Sequence, residues 1–274
     1  PTMIQLLKEL KDDPKIDGDN KRAVELYYKQ AMDTMCIPKE EFVAYQKLRD
    51  ESFDAWIQAK SQSDYSIFEP YLKKIIEVSK KMYRYRNSDK NLYDQMLDDY
   101  EPGMTQEKYD VFFAALKERL VPLIQKVTKA KQKNEEFLHQ EFPIEDQKKF
   151  MTQLLEYLHF DSSWGYQNES EHPFTSWTCE NDCRTTTKYV KNDVVSAVLS
   201  TVHEVGHAYY EHDVDPKYDG MILSEGISSG MHESQSRLCE NYLARTTAFW
   251  KYHYPKLQET FPTQLGNVSF DEFY

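Results

Sequence analysis

Two histidines four positions apart, His203 and His207, enclose Glu204, Val205 and Gly206 in an H-E-x-x-H pattern. Residues four apart on an α-helix lie one above the other on a single face, so in a helix the two imidazoles can hold one metal ion. The segment 192–212 reads as helical. Val194, Val195, Val198, Leu199, Val202 and Val205 recur at helical spacing, and Asn192 or Asp193 can cap the start. Glu204 is next to the first imidazole and points to one side of it. There it can take a proton from a metal-activated water without entering the coordination sphere, which is the work of a general base in hydrolysis. Gly206 costs this helix about 1 kcal/mol relative to alanine, and either a close approach to the backbone or a packing contact accounts for it. The competing reading is an amphipathic helix with two surface histidines; the helical context that the motif requires favours the metal.

Catalytic zinc needs three protein ligands and one open position. Candidates for the third are Glu211, His212, Asp213, Asp215, Glu225, His232, Glu233 and Glu240. Glu211 is one turn past His207 and too far along the same face to close a compact tetrahedron. Asp213 and Asp215 sit in a loop bounded by Pro216, where solvated acids are common. Glu233 is more attractive, because a loop containing Gly220, Gly226 and Gly230 returns the chain into a second helix that starts near it. His232 lies about 100° around that helix from Glu233 and is not assigned to the same ion.

Four stretches together resemble the carboxypeptidase Taq family of metallocarboxypeptidases: His172-Pro173-Phe174, the segment from Asp182 through Arg184 to Thr187, the H-E-x-x-H helix, and His232-Glu233-Ser234-Gln235 through Arg237 to Glu240-Asn241. Leu97-Asp98-Asp99-Tyr100-Glu101-Pro102-Gly103 resembles a further family region, so the likeness covers most of the chain. The resemblance implies His203, His207 and Glu233 as metal ligands and Glu204 as general base. It draws His172 towards the substrate. Arg184 is expected either to contact substrate or, preferably, to buttress acidic groups near the metal. Arg237 can pair with Glu233 or Glu240 and hold the ligand carboxylate, while Glu225 is a further candidate acceptor for a ligand histidine. Cys239 stands where the family usually has tryptophan, a packing substitution.

The family's chain also begins earlier and continues well beyond Tyr274, and its later arginine–glutamate and glutamine–aspartate–histidine–tryptophan motifs have no counterpart here. The leading expectation, from the motif and the resemblance, is a zinc-dependent carboxypeptidase, cobalt being an alternative metal, that removes single residues from peptide C termini. Two alternatives stand beside it: a truncated chain that is only a helical metal-binding or interaction domain, and a different H-E-x-x-H peptidase. A homodimer is implied by the resemblance alone.

Composition excludes other classes. A formal charge of -12 over 274 residues argues against a nucleic-acid partner, which requires a positive patch. No run approaches the roughly 18 apolar residues of a membrane span. Cys36, Cys179, Cys183 and Cys239 lack the paired spacing of a zinc ribbon and read as free thiols. The chain starts Pro1-Thr2-Met3 without a secretory leader, which favours a cytoplasmic location. The missing initiator methionine points to an excised segment.

The elements that must position the site are mostly helices. Helical periodicity predicts helices over 3–10, 20–35 and 38–60, another following Ser66, then a break between Asn87 and Thr105 with a turn at Glu101-Pro102-Gly103. The basic end Lys80, Lys81, Arg84 and Arg86 reads as a solvated helix C-terminus. Thr105 caps a helix predicted to reach Leu138, about 50 Å long and kinked at Pro122; another covers 144–158. From Phe160 to Lys191 the helical pattern gives way to serine, threonine and aromatic residues, and two strands about Glu180-Asn181-Asp182 predict a small β-hairpin beside the metal helix. An exposed strand edge there can pair with an extended substrate. The second metal helix is predicted from Ser229 to about His253. The fold class is mainly α, a gluzincin-like helical metallopeptidase with a small hairpin or short antiparallel sheet. Residues 1–159 form a cleft wall and 160–274 the catalytic region, packed together as one domain.

Overall fold

A side chain that caps an orphan backbone donor sets where the first helix begins. In the computed structural model, which describes residues 2–86, 88–131, 133–179 and 181–274, Thr2 accepts from the Gln5 N–H to start α1 (Met3–Asp12). Then follow α2 (Gly18–Met35), α3 (Lys39–Gln62) and α4 (Glu69–Tyr85). The break expected between Asn87 and Thr105 contains a short helix, α5 (Leu92–Tyr100), capped by Asn91, whose side chain accepts from the Asp94 N–H at 2.8 Å. Asn87 itself lies outside the described residues. The turn at Gly103 has φ +84°, a left-handed value that glycine takes without strain. Thr105 then caps α6 (Gln106–Lys129), accepting from Lys108. This helix stops nine residues short of Leu138, because apolar periodicity ends at Val127 and the next large apolar residue is Phe137.

Two compact units result, Pro1–Ala114 with Met221–Leu223, and Ala115–Gly220 with Ser224–Tyr274. In the first, α1 packs on α2, α3 on α4 and α4 on α5. The excursion Met221–Leu223 joins it through the Ile222 N–H, which donates to Tyr27 Oη at 2.8 Å. The basic end of α4 is engaged by acids: Lys80 with Glu77, Lys81 with Glu41 and Arg86 with Asp99. α6 spans the boundary and buries none of its side chains.

The second unit holds the main core. α7 (Ile144–Tyr157) leads into β1 (Gly165–Glu169), β2 (Thr175–Cys179) and β3 (Asp182–Thr187), then α8 (Val194–His212). The expected β2–β3 hairpin is antiparallel, with Glu180 of its turn outside the described residues; the sequence pattern gave no sign of β1, which pairs parallel to β3 and makes the sheet mixed, in the order β1-β3-β2. β3 is thus central and β2 has a free edge. On α8, Val194, Val198, Val202 and Val205 are at most 1% exposed and each contributes roughly 1.5 kcal/mol by leaving water. Gln147 ties α7 to the segment before α8, its Nε2 donating to the Phe142 and Val190 carbonyls at 2.9 Å each. Among the described residues no helix is long and apolar enough to cross a membrane, and all four cysteines are free.

Beyond α8 the predicted continuous helix 229–253 is broken. α9 (Ser229–Arg237) passes into a π-helical stretch, Leu238–Ala244, and α10 (Thr247–Thr260) starts afresh. The restart has a local cause: Thr246 is extended and its side chain accepts from the Phe249 N–H, a cap that ends one helix and begins another. Pro255 lies inside α10. Short helices α11 (Pro262–Leu265) and α12 (Phe270–Phe273) complete the unit.

Candidate metal centre

The buried stripe of α8 turns its opposite face outward, and that face carries the chemistry. Asp193 caps the helix, its carboxylate accepting from the Ser196 N–H at 2.9 Å. Two turns further on, His203 and His207 stand with ring centroids 4.9 Å apart. α9 is pressed onto α8 at Gly206, where an added Cβ would lie 2.8 Å from Ser236 Cα and 3.0 Å from Cys239 Cβ. The glycine is therefore a helix-packing contact. Its close approach brings Glu233 to the imidazoles, with Oε2 at 3.5 Å from Nε2 of His203 and 3.5 Å from Nε2 of His207.

Ligand atoms of His203, His207 and Glu233 all lie within 4.8 Å of one another. Tetrahedral zinc with bonds of about 2.0–2.1 Å sets its ligands about 3.3 Å apart, so the two 3.5 Å separations suit a small divalent ion. The donor set, two imidazoles and a carboxylate, suits it as well. Both Nδ1 atoms are already occupied: His203 Nδ1 is 2.9 Å from Glu240 Oε2, and His207 Nδ1 is 2.6 Å from His232 Nδ1. That leaves the Nε2 lone pairs to converge on the same point.

Charge around the three is arranged by Glu240 of the π-helical stretch and by the two arginines that flank it. Arg237 bridges the carboxylates, its Nε donating to Glu233 Oε1 at 2.8 Å and an Nη to Glu240 Oε2 at 2.9 Å, and Arg245 donates to Glu240 Oε1 at 2.7 Å. Burial alone would raise the Glu233 carboxyl, but the bonds from Arg237 and Ser236 outweigh it and hold the group below the usual range. Glu240 is likewise lowered, burial being outweighed by Arg245 and His203. Burial, with His232 and His203 alongside, pushes His207 down to about 4, so it is neutral near pH 7.

Glu204 is 6% exposed. Thr175 at the start of β2 donates its hydroxyl to Glu204 Oε2 at 2.6 Å, which fixes one carboxylate oxygen and leaves the other available. Burial raises this carboxyl above its usual value, opposed by the Thr175 bond and by His203. His172, Pro173, Ser196, Leu199, Ser200 and Arg245 line a cavity of about 500 Å³ that also takes in His203, Glu204, Arg237 and Glu240.

Of the residues singled out in the sequence, His203, Glu204, His207, Glu233, Arg237, Glu240 and His172 are thus brought together. Arg184 is not. It makes two 2.8 Å bonds to Asp182 on the exposed sheet face, since strand alternation turns Cys183 and Thr185 inward and Arg184 outward. The buttress expected of Arg184 is supplied by Arg237 and Arg245. Glu211 and His232, set aside as ligands, are bonded to each other at 2.6 Å. No sequence signal marked Thr175, 29 residues from its partner.

A model of the carboxypeptidase Taq (M32) metallopeptidases matches residues 1–274. Carboxypeptidase 1 of Bacillus subtilis is 39% identical over 272 residues, covering 99% of this chain and 54% of that protein. Thermostable carboxypeptidase 1 of Thermus thermophilus is 32% identical over 248 residues, 87% of this chain and 48% of that one. The crystal structure of an M32 carboxypeptidase from Deinococcus radiodurans superposes with a TM-score of 0.87 at 32% identity, covering 99% of this chain and 55% of the other. The chain spans about half the length of the curated relatives it matches. With a family match over its whole length, carboxypeptidases among its sequence relatives and an M32 carboxypeptidase among the similar structures, the chain belongs to the carboxypeptidase Taq (M32) metallopeptidase family.

Proposed function

We propose that this chain carries the metal-binding and proton-transfer apparatus of a zinc carboxypeptidase that releases single residues from peptide C termini. Membership of a metallopeptidase family implies a divalent metal, and His203, His207 and Glu233 are the residues that would hold it. The observation that carries the reading is the meeting of the two Nε2 atoms on Glu233 Oε2 beside a buried glutamate. When bound, the metal supplies Lewis-acid polarisation of the scissile carbonyl and acidifies water. Glu204 then accepts the water proton on its free oxygen while Thr175 holds the other, and delivers the proton to the leaving amine. A carboxyl raised by burial is better matched to giving that proton back. His172 lines the cavity wall, which supports a contact with the peptide.

Glu204→Gln tests this on the chain itself, with peptides blocked at either end as substrates. Turnover from peptides with a free C terminus is expected to fall about 10²- to 10⁴-fold with metal stoichiometry unchanged. Loss of metal would instead assign Glu204 a structural role, and cleavage of a C-terminally blocked peptide would point to a different peptidase. The alternative reading is that the chain binds metal without hydrolysing peptide. Hydrolysis by the wild-type chain with added zinc or cobalt separates the two. The homodimer implied by the resemblance is tested by light scattering across a concentration series, where a constant monomer mass would overturn it.

A further inference from the structure

The two proposed ligand histidines are supported by unlike groups. His203 Nδ1 meets a carboxylate directly, Glu240 Oε2 at 2.9 Å. His207 Nδ1 meets another imidazole, and a carboxylate stands only behind that: His207 Nδ1 to His232 Nδ1 is 2.6 Å, and His232 Nε2 to Glu211 Oε1 is 2.6 Å. Glu211 is on α8, one turn beyond His207, and its side chain is 12% exposed. The His232 ring is held from two further sides. An added Cβ at Gly226 would lie 2.7 Å from His232 Cδ2, and the Tyr210 ring meets it edge-on with centroids 5.1 Å apart.

We propose that Glu211 and His232 are positioning residues for His207, fixing the imidazole tautomer that leaves its Nε2 lone pair open to the metal. This rests on the metal centre proposed above. The argument is one of donors and acceptors. An ionised carboxylate only accepts, so Glu211 requires a proton on His232 Nε2. A neutral His232 protonated there has a bare lone pair at Nδ1, which requires a proton on His207 Nδ1. His207 Nε2 is then unprotonated, and it faces Glu233 Oε2 at 3.5 Å. Proton order reversed along the chain would set the His232 Nε2 lone pair against the Glu211 carboxylate and place a proton on His207 Nε2, where it blocks the ligand position. Glu211 therefore selects the tautomers of two histidines, one of which it does not touch.

The test measures zinc affinity by chelator competition on the full chain, together with histidine ¹⁵N shifts on the metal-free chain. His232→Leu removes the acceptor and is expected to weaken zinc binding about 10- to 100-fold with the far-ultraviolet circular dichroism unchanged. His232→Asn offers a side-chain oxygen near the position of Nδ1 and is expected to recover most of that loss. A purely packing role predicts the opposite order, since leucine fills the space better than asparagine. The ¹⁵N shifts are expected to show His207 protonated at Nδ1 and His232 at Nε2. Binding by His232→Leu within about threefold of wild type would overturn the proposal, as would a His207 protonated at Nε2 in the metal-free chain. A wild-type chain that takes up no zinc would overturn the metal centre instead, and the tautomers would still be read without it.

Discussion

The unit that carries the proposed metal ligands and the unit built from the first helices are each held together by different means. In the first of these, Phe142, Phe150, Leu154, Tyr254, Leu257 and Phe261 are at most 2% exposed and belong to one cluster. In the other, the buried apolar residues are Ala23, Ala55, Ala59 and Met82, and its helices are joined by half-buried aromatics and polar clamps. Asp99 accepts from Tyr83 Oη and from Arg86, both at 2.7 Å, and Glu41 accepts from Tyr85 Oη at 2.8 Å. The difference suits the role proposed for the packed unit. A ligand set useful to a metal must be held to within about half an ångström, and close-packed side chains under α8 give that rigidity because a dense interior resists displacement. Small buried residues let helices approach but contribute little apolar area.

The largest expected effect lies in the packed unit. Leu257 is fully buried, and Leu257→Ala should cost about 3 kcal/mol from lost transfer and the cavity left behind. Urea unfolding reads this directly. A loss under about 1 kcal/mol would mean that the cluster rearranges as easily as the small-residue contacts elsewhere, and the contrast would fail. Gly206→Ala comes next, at about 2 kcal/mol, because the new methyl meets Ser236 backbone rather than a flexible side-chain tip. It should also weaken zinc binding, since α9 can yield only by carrying Glu233 away. A stable variant with unchanged affinity would show that the helix contact does not set the ligand position.

The pattern of what could be read from the chain follows the same line between local and distant. α8 and its two histidines were legible because a helix repeats every few residues and a motif inside it inherits that geometry. The cap at Thr246 was legible in principle, yet beyond Gly230 the run to His253 contains neither glycine nor proline, so nothing interrupted the apparent helix. Glu233 stood out among the downstream acids only by the glycine-rich loop that leads into its helix, and the resemblance then selected it, because no periodic signal tells where a loop will return. The bonds Thr175–Glu204 and Glu211–His232 join residues 29 and 21 positions apart. Such pairs exist only after β2 and α9 have packed on α8. β1 escaped notice because Gly165-Tyr166-Gln167-Asn168-Glu169 has none of the β-branched residues that mark a strand.

Acid should expose the packed unit further. His253 on α10 is 2% exposed, boxed by Phe249, Tyr157 and Phe150, and its Nε2 has no hydrogen-bond partner among the described residues. Burial, helped by Lys256, pushes it down to about 4. Above pH 6.5 the ring is neutral folded and unfolded, and the full stability is present. Below 6.5 the unfolded chain takes up a proton that the folded one refuses, so stability falls until the folded ring titrates near 4. Between pH 7 and pH 5 the loss is about 2 kcal/mol. His207 titrates in the same direction, so the His253 share is isolated as the slope removed by His253→Phe. An unchanged slope in that variant would show that the core admits the charged ring.

The smallest effect belongs to the clamped unit and is the most discriminating. Tyr83→Phe deletes one of the two donors to Asp99 while Arg86 keeps the other. Burial and the Asp99 bond raise the Tyr83 hydroxyl well above its ordinary value, so it remains a donor throughout the neutral range. Removing it should cost about 1 kcal/mol, the net worth of a hydrogen bond that exchanges with water in the unfolded chain. If polar clamps stand in for a core in these helices, amide exchange should speed up along α4 and α5 while α7, α8 and α10 keep their protection. Faster exchange spread evenly over the chain would mean that the helices share one cooperative transition and that the two modes of packing are not energetically separate. Unchanged exchange everywhere would leave the small buried residues as the main support of the first unit.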